Sequence, residues 1–479
     1  MGEKIKIEEI LAWTKSKLIS GRPDQYIKSV STDSRTIKEG EFFLPLIGEN
    51  YDGHDFIYSA LKEGASGFIY ESIHKNKLKF WKSSIKPDIS DKLIVFQSEN
   101  NLEFLEKISY EYIRKFNPIV IGITGSVGKT TTKDLLVNIL SKVYDTKYTP
   151  KNFNTEIGVS KAILEIDRNT DIFVAEFGMR GKGQIKLLSN MCDVDIGIIT
   201  AVGKSHLEFF KDLEEVATAK MEIGRILESK NGVLFLNSDD DCSDFIKENV
   251  NCRIIEFGRD NSIDYNFIEK GADDLGRFTF NMYHKGEKVI EIYLSIPGYH
   301  NIYNACSAAA VSLYLNMEAK VIKEGVENTP AGAGRMELIK REDKIIINDC
   351  YNANPLSVRK AVDTLSLVSI KNGSRSVAIL GDMLELGEES SRFHHEVGEY
   401  LAEKGINVLI ASGKLSRHIY QGCKDYTSIN NFGKSKCLCL YFKNKEQLGG
   451  KLKSILKPGD LILVKGSRAN KMESIIDLI

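Results

Sequence analysis

The stretch GITGSVGKTTTK, residues 122–133, couples an apolar run to a Gly-Lys-Thr triplet. Glycines at a strand-to-helix turn let backbone N–H groups approach phosphate oxygens, and the start of the following helix adds a favourable dipole. Lys129 is placed to reach terminal phosphates, and the Thr130 hydroxyl suits Mg²⁺. The spacing departs from the common G-x-x-x-x-G-K-[ST] pattern. Ile123 stands where the first glycine belongs, and Gly125 gives G-x-x-G-K-T instead. Ser126, Val127, Gly128 and Thr131 complete this candidate phosphate cradle.

Other residues of chemical interest follow predicted strands. Glu176 closes the apolar run DIFVAEFG, and the carboxyl ends of strands in a parallel sheet face the ligand crevice. A carboxylate there suits Mg²⁺. His206, in AVGKSHLEFF, follows another such run and is a candidate for the same crevice, although a lone histidine is often structural. Lys220 lies in VATAKMEIGRIL and taken alone reads as an ordinary helix lysine. His300, Asn301 and Asn304 open a helix in PGYHNIYNACSAAA, where they would either read a nucleobase edge or cap the helix. NDCYNANP gathers Asn348, Asp349, Tyr351, Asn352 and Asn354 after a strand. The Asn-Lys-x-Asp base reader of switch GTPases is absent from the sequence.

The 479 residues leave room for two or three domains to position these groups. Lys+Arg 65 against Asp+Glu 66 gives no basic footprint, so no nucleic-acid partner is expected. No apolar run approaches the ~18 residues of a membrane span, and the charged start MGEKIKIEE lacks a signal-peptide core. A cytoplasmic protein is expected. Its eight cysteines contain no C-x-x-C, and Cys437 and Cys439 are the nearest pair. That spacing argues against a zinc site or disulfide framework and for reduced thiols.

Residues 1–115 alternate short strand-like and helix-like stretches. From 118 onward β-α alternation is regular, with strands in IVIGIT, DIFVAEFG, DVDIGIITAV and GVLFLN and an amphipathic helix over 212–229. Residues 264–296 read as antiparallel strands, followed by helices near 300–315 and 319–327. TPAGAGRMEL, residues 329–338, reads as a hinge. Beyond it KIIINDC, SVAILGD, NVLIAS and LILVKGS are strands of a second alternating set. Domain boundaries are therefore expected near 115 and 335.

TGSVGKTT, EFG, SHLEFF, AKMEI, HNIYNACSAAA, GRMEL and NDCYNANP, in this order, resemble landmarks of the Mur ligase family, ATP-dependent amide-bond-forming enzymes of cell-wall precursor assembly. The resemblance spans essentially the whole chain. It implies an α/β fold of three domains. Residues 1–115 would be a small α/β domain for the uridine-diphosphate substrate. Residues 116–335 would be a P-loop ATPase-like domain with a mostly parallel sheet. Residues 336–479 would be a Rossmann-like domain that binds the incoming group and closes on ATP. NDCYNANP, LGDMLELG, VKGSRANKME and GMRGKGQI are most similar to members that add D-alanyl-D-alanine to UDP-N-acetylmuramoyl-tripeptide. Asn354 replaces a histidine common in relatives, and the D-N-P-R signature of diaminopimelate-adding members is absent.

Carried over by position, the resemblance assigns ATP phosphates to residues 125–131 with Lys129. It assigns Mg²⁺ to Thr130, Glu176, His206 and a CO₂-derived carbamate on Lys220. Asn301 would contact adenine, and Arg335 and Asp349 would contact ATP phosphate and ribose. Ser34 and Arg35 in STDSR, with Asn154 and Thr155 in NFNTEIG, would meet the UDP-linked substrate. A monomer is expected. The alternatives are a sister ligase adding a single amino acid, a folylpolyglutamate synthase-like ligase, and a regulatory P-loop ATPase.

Overall fold

The computed structural model describes residues 2–48, 50–83, 93–204, 208–429 and 437–479. His206 lies outside the described residues. The chain forms two compact units: Met1–Gly122 with Tyr144–Phe177 and Lys186–Ile196, and Ile123–Val143 with Gly178–Ile185 and Gly197–Ile479.

The first unit holds a five-stranded sheet in the order Lys17–Ser20, Ile94–Ser98, Gly67–Glu71, Phe42–Phe43, Val30–Ser31. Only the Lys17–Ser20 edge is antiparallel. Phe43, Phe68, Tyr70, Trp81 and Val95 fill the core on one face. The helix Asn101–Phe116 starts where the Asn100 side chain accepts from the N–H groups of Leu102 and Glu103. It stops at Asn117, left-handed at φ 50°, just before Pro118. Both ends thus follow capping chemistry. The buried Tyr112 hydroxyl donates to the Ile166 carbonyl at 2.8 Å and accepts the Glu3 N–H at 2.8 Å, fastening the helix to two distant segments.

The largest sheet has nine strands, in the order Glu287–Tyr293, Phe278–His284, Tyr265–Ala272, Arg253–Gly258, Val233–Asn237, Ile196–Ile199, Ile119–Thr124, Ile172–Glu176, Thr146–Tyr148. The expected strands from 119 to 237 are present as short, buried apolar runs. Residues 265–293 form the expected antiparallel set. The helix expected over 212–229 is two helices, Leu213–Lys220 and Glu222–Glu228. Met221 separates them with ψ −5°, too far from the helical value to continue one regular ladder.

A six-stranded sheet carries the C-terminal segment in the order Glu337–Arg341, Lys344–Asp349, Leu461–Lys465, Ser376–Leu380, Val408–Ser412, Leu438–Phe442. All pairs are parallel except the first hairpin. The central strands are buried along their length, as covered parallel strands should be. The edge strand Leu438–Phe442 is not among the expected strands, although LCLYF is apolar throughout, and Leu438 and Tyr441 are exposed on it. Asn354 caps the helix Pro355–Asn372: its side chain accepts from the Ser357 N–H at 2.8 Å, and Ser357 Oγ accepts from the Asn354 N–H at 3.0 Å. Asn354→Ala should cost about 1 kcal/mol of stability by loss of this cap. Denaturant unfolding of the purified chain checks it, and an unchanged midpoint would refute the capping role.

Candidate active site

The glycine loop is built against two neighbours that leave no room for a side chain. A Cβ on Gly125 would lie 2.0 Å from Thr200 Oγ1, and one on Gly128 would lie 2.4 Å from Asn304 Oδ1. Gly128 also has φ 86° and precedes the helix Lys129–Leu140, a conformation that glycine alone adopts without cost. The segment after strand Ile196–Ile199 buttresses the loop. Thr200 Oγ1 donates to the Val127 carbonyl at 2.6 Å, Ser126 N–H donates to the Ala201 carbonyl at 2.7 Å, and Ser126 Oγ donates to the Gly203 carbonyl at 2.9 Å. Lys129 Nζ folds back onto the Gly125 carbonyl at 2.6 Å. Thr130 is buried in the first helical turn. The first N–H groups of any helix lack intrahelical acceptors, so this turn is suited to an anion.

Lys220 ends the helix Leu213–Lys220 and is 2% exposed. Burial drives its pKa well below the ordinary lysine range, repulsion from Lys129 adds to this, and attraction to Asp240 opposes it. The amine is therefore biased toward its neutral, nucleophilic form. Asp240 follows strand Val233–Asn237 and accepts N–H groups of Val202 at 2.7 Å and Cys242 at 3.0 Å. Burial raises its pKa, against the pull of those two hydrogen bonds. Asp240 is not among the residues that a sequence motif marks. Its signal was an acidic run, residues 239–241, just beyond an apolar strand.

Asn301 is buried, with Nδ2 donating to the Pro297 carbonyl at 2.7 Å and Oδ1 accepting from Asn304 Nδ2 at 2.8 Å. Neither asparagine serves as the helix cap, since Tyr299 holds that position with no side-chain bond. Asn304 links this helix to the loop helix, where its Oδ1 accepts from Thr132 Oγ1 at 3.3 Å. His300 is half-buried, and desolvation beside Lys360 and Lys465 lowers its pKa to about 3, so it is neutral.

At the 329–338 segment, Arg335 stacks over the Tyr351 ring at 3.7 Å. Gly334 and Met336 both take positive φ, 67° and 54°. Asp349 Oδ1 accepts the Met336 N–H at 3.1 Å, and Asp349 Oδ2 pairs with the buried Lys465 at 2.5 Å. Lys465 Nζ also donates to the Asn352 carbonyl at 2.8 Å. Lys465 stands opposite Asp349 across a parallel strand pair, a register that sequence reading could not supply. A cavity of about 850 Å³ is lined by Lys204, Glu208, Lys211, Leu386, Arg392 and Phe393, among others.

In the first unit, Glu176 is 3% exposed at the end of strand Ile172–Glu176. Its Oε1 accepts from Asn154 Nδ2 at 3.0 Å, and its N–H donates to Thr149 Oγ1 at 2.9 Å. Thr155 precedes the helix Glu156–Ile163 as its cap residue. Arg35 is exposed and pairs with Asp33 through two bonds of 2.9 and 2.8 Å. The Arg35 guanidinium holds the Asp33 carboxyl down to about 2. Lys161, on the Thr155-capped helix, lies near enough to Asp33 and Glu41 for attraction, while burial lowers its pKa. STDSR and NFNTEIG, more than a hundred residues apart, thus share one compact unit, with Ser34 beside the Asp33–Arg35 pair.

Three segments match family descriptions: residues 26–113 the Mur ligase family catalytic domain, 123–312 the Mur ligase middle domain, and 334–468 the Mur ligase glutamate ligase domain. The chain is 32% identical to UDP-N-acetylmuramoyl-tripeptide--D-alanyl-D-alanine ligase of Bacillus subtilis, over 99% of this chain and 98% of that relative. Its fold is similar to a crystal structure of MurF from Acinetobacter baumannii, with TM-score 0.87, 26% identity, and coverage of 100% and 99% of the two chains. It is similar too to MurF ligase from Thermotoga maritima in complex with ADP, with TM-score 0.77, 26% identity, and coverage of 94% and 96%.

Two substitutions test the geometry. Gly128→Ala forces a left-handed backbone costing about 1–2 kcal/mol before any clash with Asn304. It should weaken ADP binding at least tenfold by calorimetry, and unchanged affinity would contradict the cradle. Lys220→Met removes a buried amine without leaving a cavity, so the ligand-free protein should not lose stability. Its stability advantage over wild type should shrink as pH rises toward 10.5, the ordinary lysine value, because below it the unfolded wild-type chain binds the extra proton. Melting curves across pH check this, and a pH-independent difference would show that Lys220 is not a depressed amine.

Proposed function

The chain belongs to the Mur ligase family, and we propose that it joins D-alanyl-D-alanine to UDP-N-acetylmuramoyl-tripeptide, driven by ATP, in peptidoglycan precursor synthesis. The observation that carries this reading is the end-to-end likeness to ligases of that specificity, in a chain whose glycine loop is shaped for phosphate. Three functional regions are proposed: residues 1–115 for the UDP-linked substrate, 116–335 for ATP, and 336–479 for the incoming dipeptide.

ATP fits the cradle chemically. Gly125 and Gly128 keep the loop free of side chains, Lys129 supplies a cation, and the helix start supplies N–H groups. Thr130, Glu176, His206 and a carbamate on Lys220 are the proposed ligands of Mg²⁺, a mainly oxygen set of the kind that ion prefers. Bound Mg²⁺ offsets repulsion between the phosphates and an approaching carboxylate. Lys220 would form the carbamate as the neutral amine that its burial favours. Asn301, Arg335 and Asp349 are proposed around the nucleotide. Asn301 is proposed to contact adenine, and Arg335 and Asp349 the ATP phosphate and ribose; bonds within the protein fix the direction of the Asn301 and Asp349 side chains and leave further hydrogen-bonding capacity. Ser34, Arg35, Asn154 and Thr155 are proposed to face the UDP-linked peptide.

The reaction then has two steps. The terminal carboxylate of the tripeptide attacks the γ-phosphate, giving an acyl phosphate and ADP, while Lys129 stabilises charge on the transferring group. The dipeptide amine attacks the acyl carbon, and the tetrahedral intermediate expels inorganic phosphate to leave the amide. The 850 Å³ cavity is a suitable place for the dipeptide: Lys204 and Lys211 offer cations for its carboxylate, Glu208, Asp212 and Glu388 offer anions for its ammonium, and Arg392 is paired with Glu389. A cytoplasmic location is proposed on the basis of these nucleotide substrates. Among the described residues no helix is long and apolar enough to cross a membrane.

Phosphate release from Mg-ATP with the UDP-tripeptide should depend on D-alanyl-D-alanine and yield a pentapeptide product by mass. Release that depends on a single amino acid instead would redirect the assignment to a sister ligase, and release indifferent to any amine would point to a regulatory ATPase.

A further inference from the structure

Three of the eight cysteines converge away from the nucleotide loop. Cys423 lies in the helix Arg417–Ile429, Cys439 on the edge strand Leu438–Phe442, and Cys437 just before that strand. Their sulfurs lie within 4.8 Å of one another, and Cys423 Sγ is 2.7 Å from Cys439 Sγ. The helix packs on the strand, so the two sulfurs meet without displacement of either element. Cys423 and Cys437 are buried and Cys439 is half-buried, which leaves one member accessible to a small reagent and shields its partners. The sequence reading considered only the Cys437/Cys439 spacing. Cys423 is separated from both along the chain, so the cluster was invisible there.

We propose that Cys423 and Cys439 are an oxidisable dithiol that a hydroperoxide converts to an intramolecular disulfide, with Cys437 as a neighbouring thiol outside the bond. The roles follow from position. Hydrogen bonds from the Cys423 and Cys437 thiols, helped by Lys424, hold the Cys439 thiol below its ordinary pKa, whereas its two partners are raised. Cys439 is thus the accessible sulfur and the one its neighbours bias toward thiolate, the two properties of an oxidant-sensitive cysteine. Its thiolate attacks one peroxide oxygen; the O–O bond breaks, giving a sulfenic acid and hydroxide. The Cys423 thiol then attacks the Cys439 sulfur, the S–O bond breaks, and water leaves as the disulfide forms. In sum, two thiols lose two electrons and two protons, and one hydrogen peroxide becomes two waters. A dithiol reductant reverses the change by exchange. Transient bonds of this kind suit a reducing compartment.

The test uses the full-length reduced protein treated with a few equivalents of hydrogen peroxide, then denatured and alkylated. The expected result is two fewer alkylated thiols, a chain lighter by two hydrogens, and a Cys423–Cys439 linked peptide that dithiothreitol abolishes. Cys437→Ser should retain the link. Cys423→Ser should lose it and instead give a dimedone adduct at Cys439. Cys252, half-buried and outside the cluster, is the internal control for accessibility. Oxidation of Cys252 with no Cys423–Cys439 link in wild type would overturn the proposal. So would a link that persists in Cys423→Ser through Cys437. A stoichiometric thiolate-bound metal in the purified protein, detected by elemental analysis, would reassign the cluster as a cation site.

Discussion

Two contacts with no space for a methyl group set the nucleotide loop: Gly125 against Thr200, and Gly128 against Asn304. Thr200 follows one central strand and Asn304 projects from the helix His300–Tyr314, so the loop is clamped by two elements distant in sequence. The clamp turns a flexible glycine segment into a fixed surface and aims the first turn of Lys129–Leu140. Preorganisation of this kind is how a phosphate site stabilises a transferring phosphoryl group without reorganising at the moment of reaction.

Charge is the second constraint. Lys220 is buried, with Lys129 and Asp240 near enough to act on its charge. Two ammonium groups in low dielectric repel strongly, and the more buried one is the easier to deprotonate. The carbamate proposed on Lys220 needs the neutral amine that this depression favours. Glu176 follows a different logic: Asn154 and Thr149 hold its carboxylate and backbone, so its direction is settled by hydrogen bonds. In the C-terminal sheet, the Asp349–Lys465 pair ties the strand after the 329–338 segment to the sheet centre.

Much of this was legible in the sequence because the signals are local. IVIGIT running into G-x-x-G-K-T fixes a strand, a turn and a helix within a dozen residues, and all three are present. Buried parallel strands read as continuous apolar runs for the same reason. What escaped depends on contacts across the chain. Asp240 and Lys465 matter through the strands they end and face, not through any neighbouring motif. The break at Met221 interrupts an amphipathic pattern that itself runs on smoothly. Leu438–Phe442 is a half-exposed edge strand, and Cys439 on it and Cys437 just before it meet Cys423 only in three dimensions. Asn354 shows the reverse case, where a residue singled out as a family departure has a local task as a helix cap.

The proposed reaction turns on activation of the tripeptide carboxylate by ATP as an acyl phosphate. The direct test is to run one ligation with the acceptor's terminal carboxylate labelled with ¹⁸O and to weigh the inorganic phosphate released. One ¹⁸O is expected in each phosphate formed per amide bond, because the carboxylate oxygen leaves with the phosphoryl group. Phosphate without label, in a reaction that still forms the amide, would contradict it.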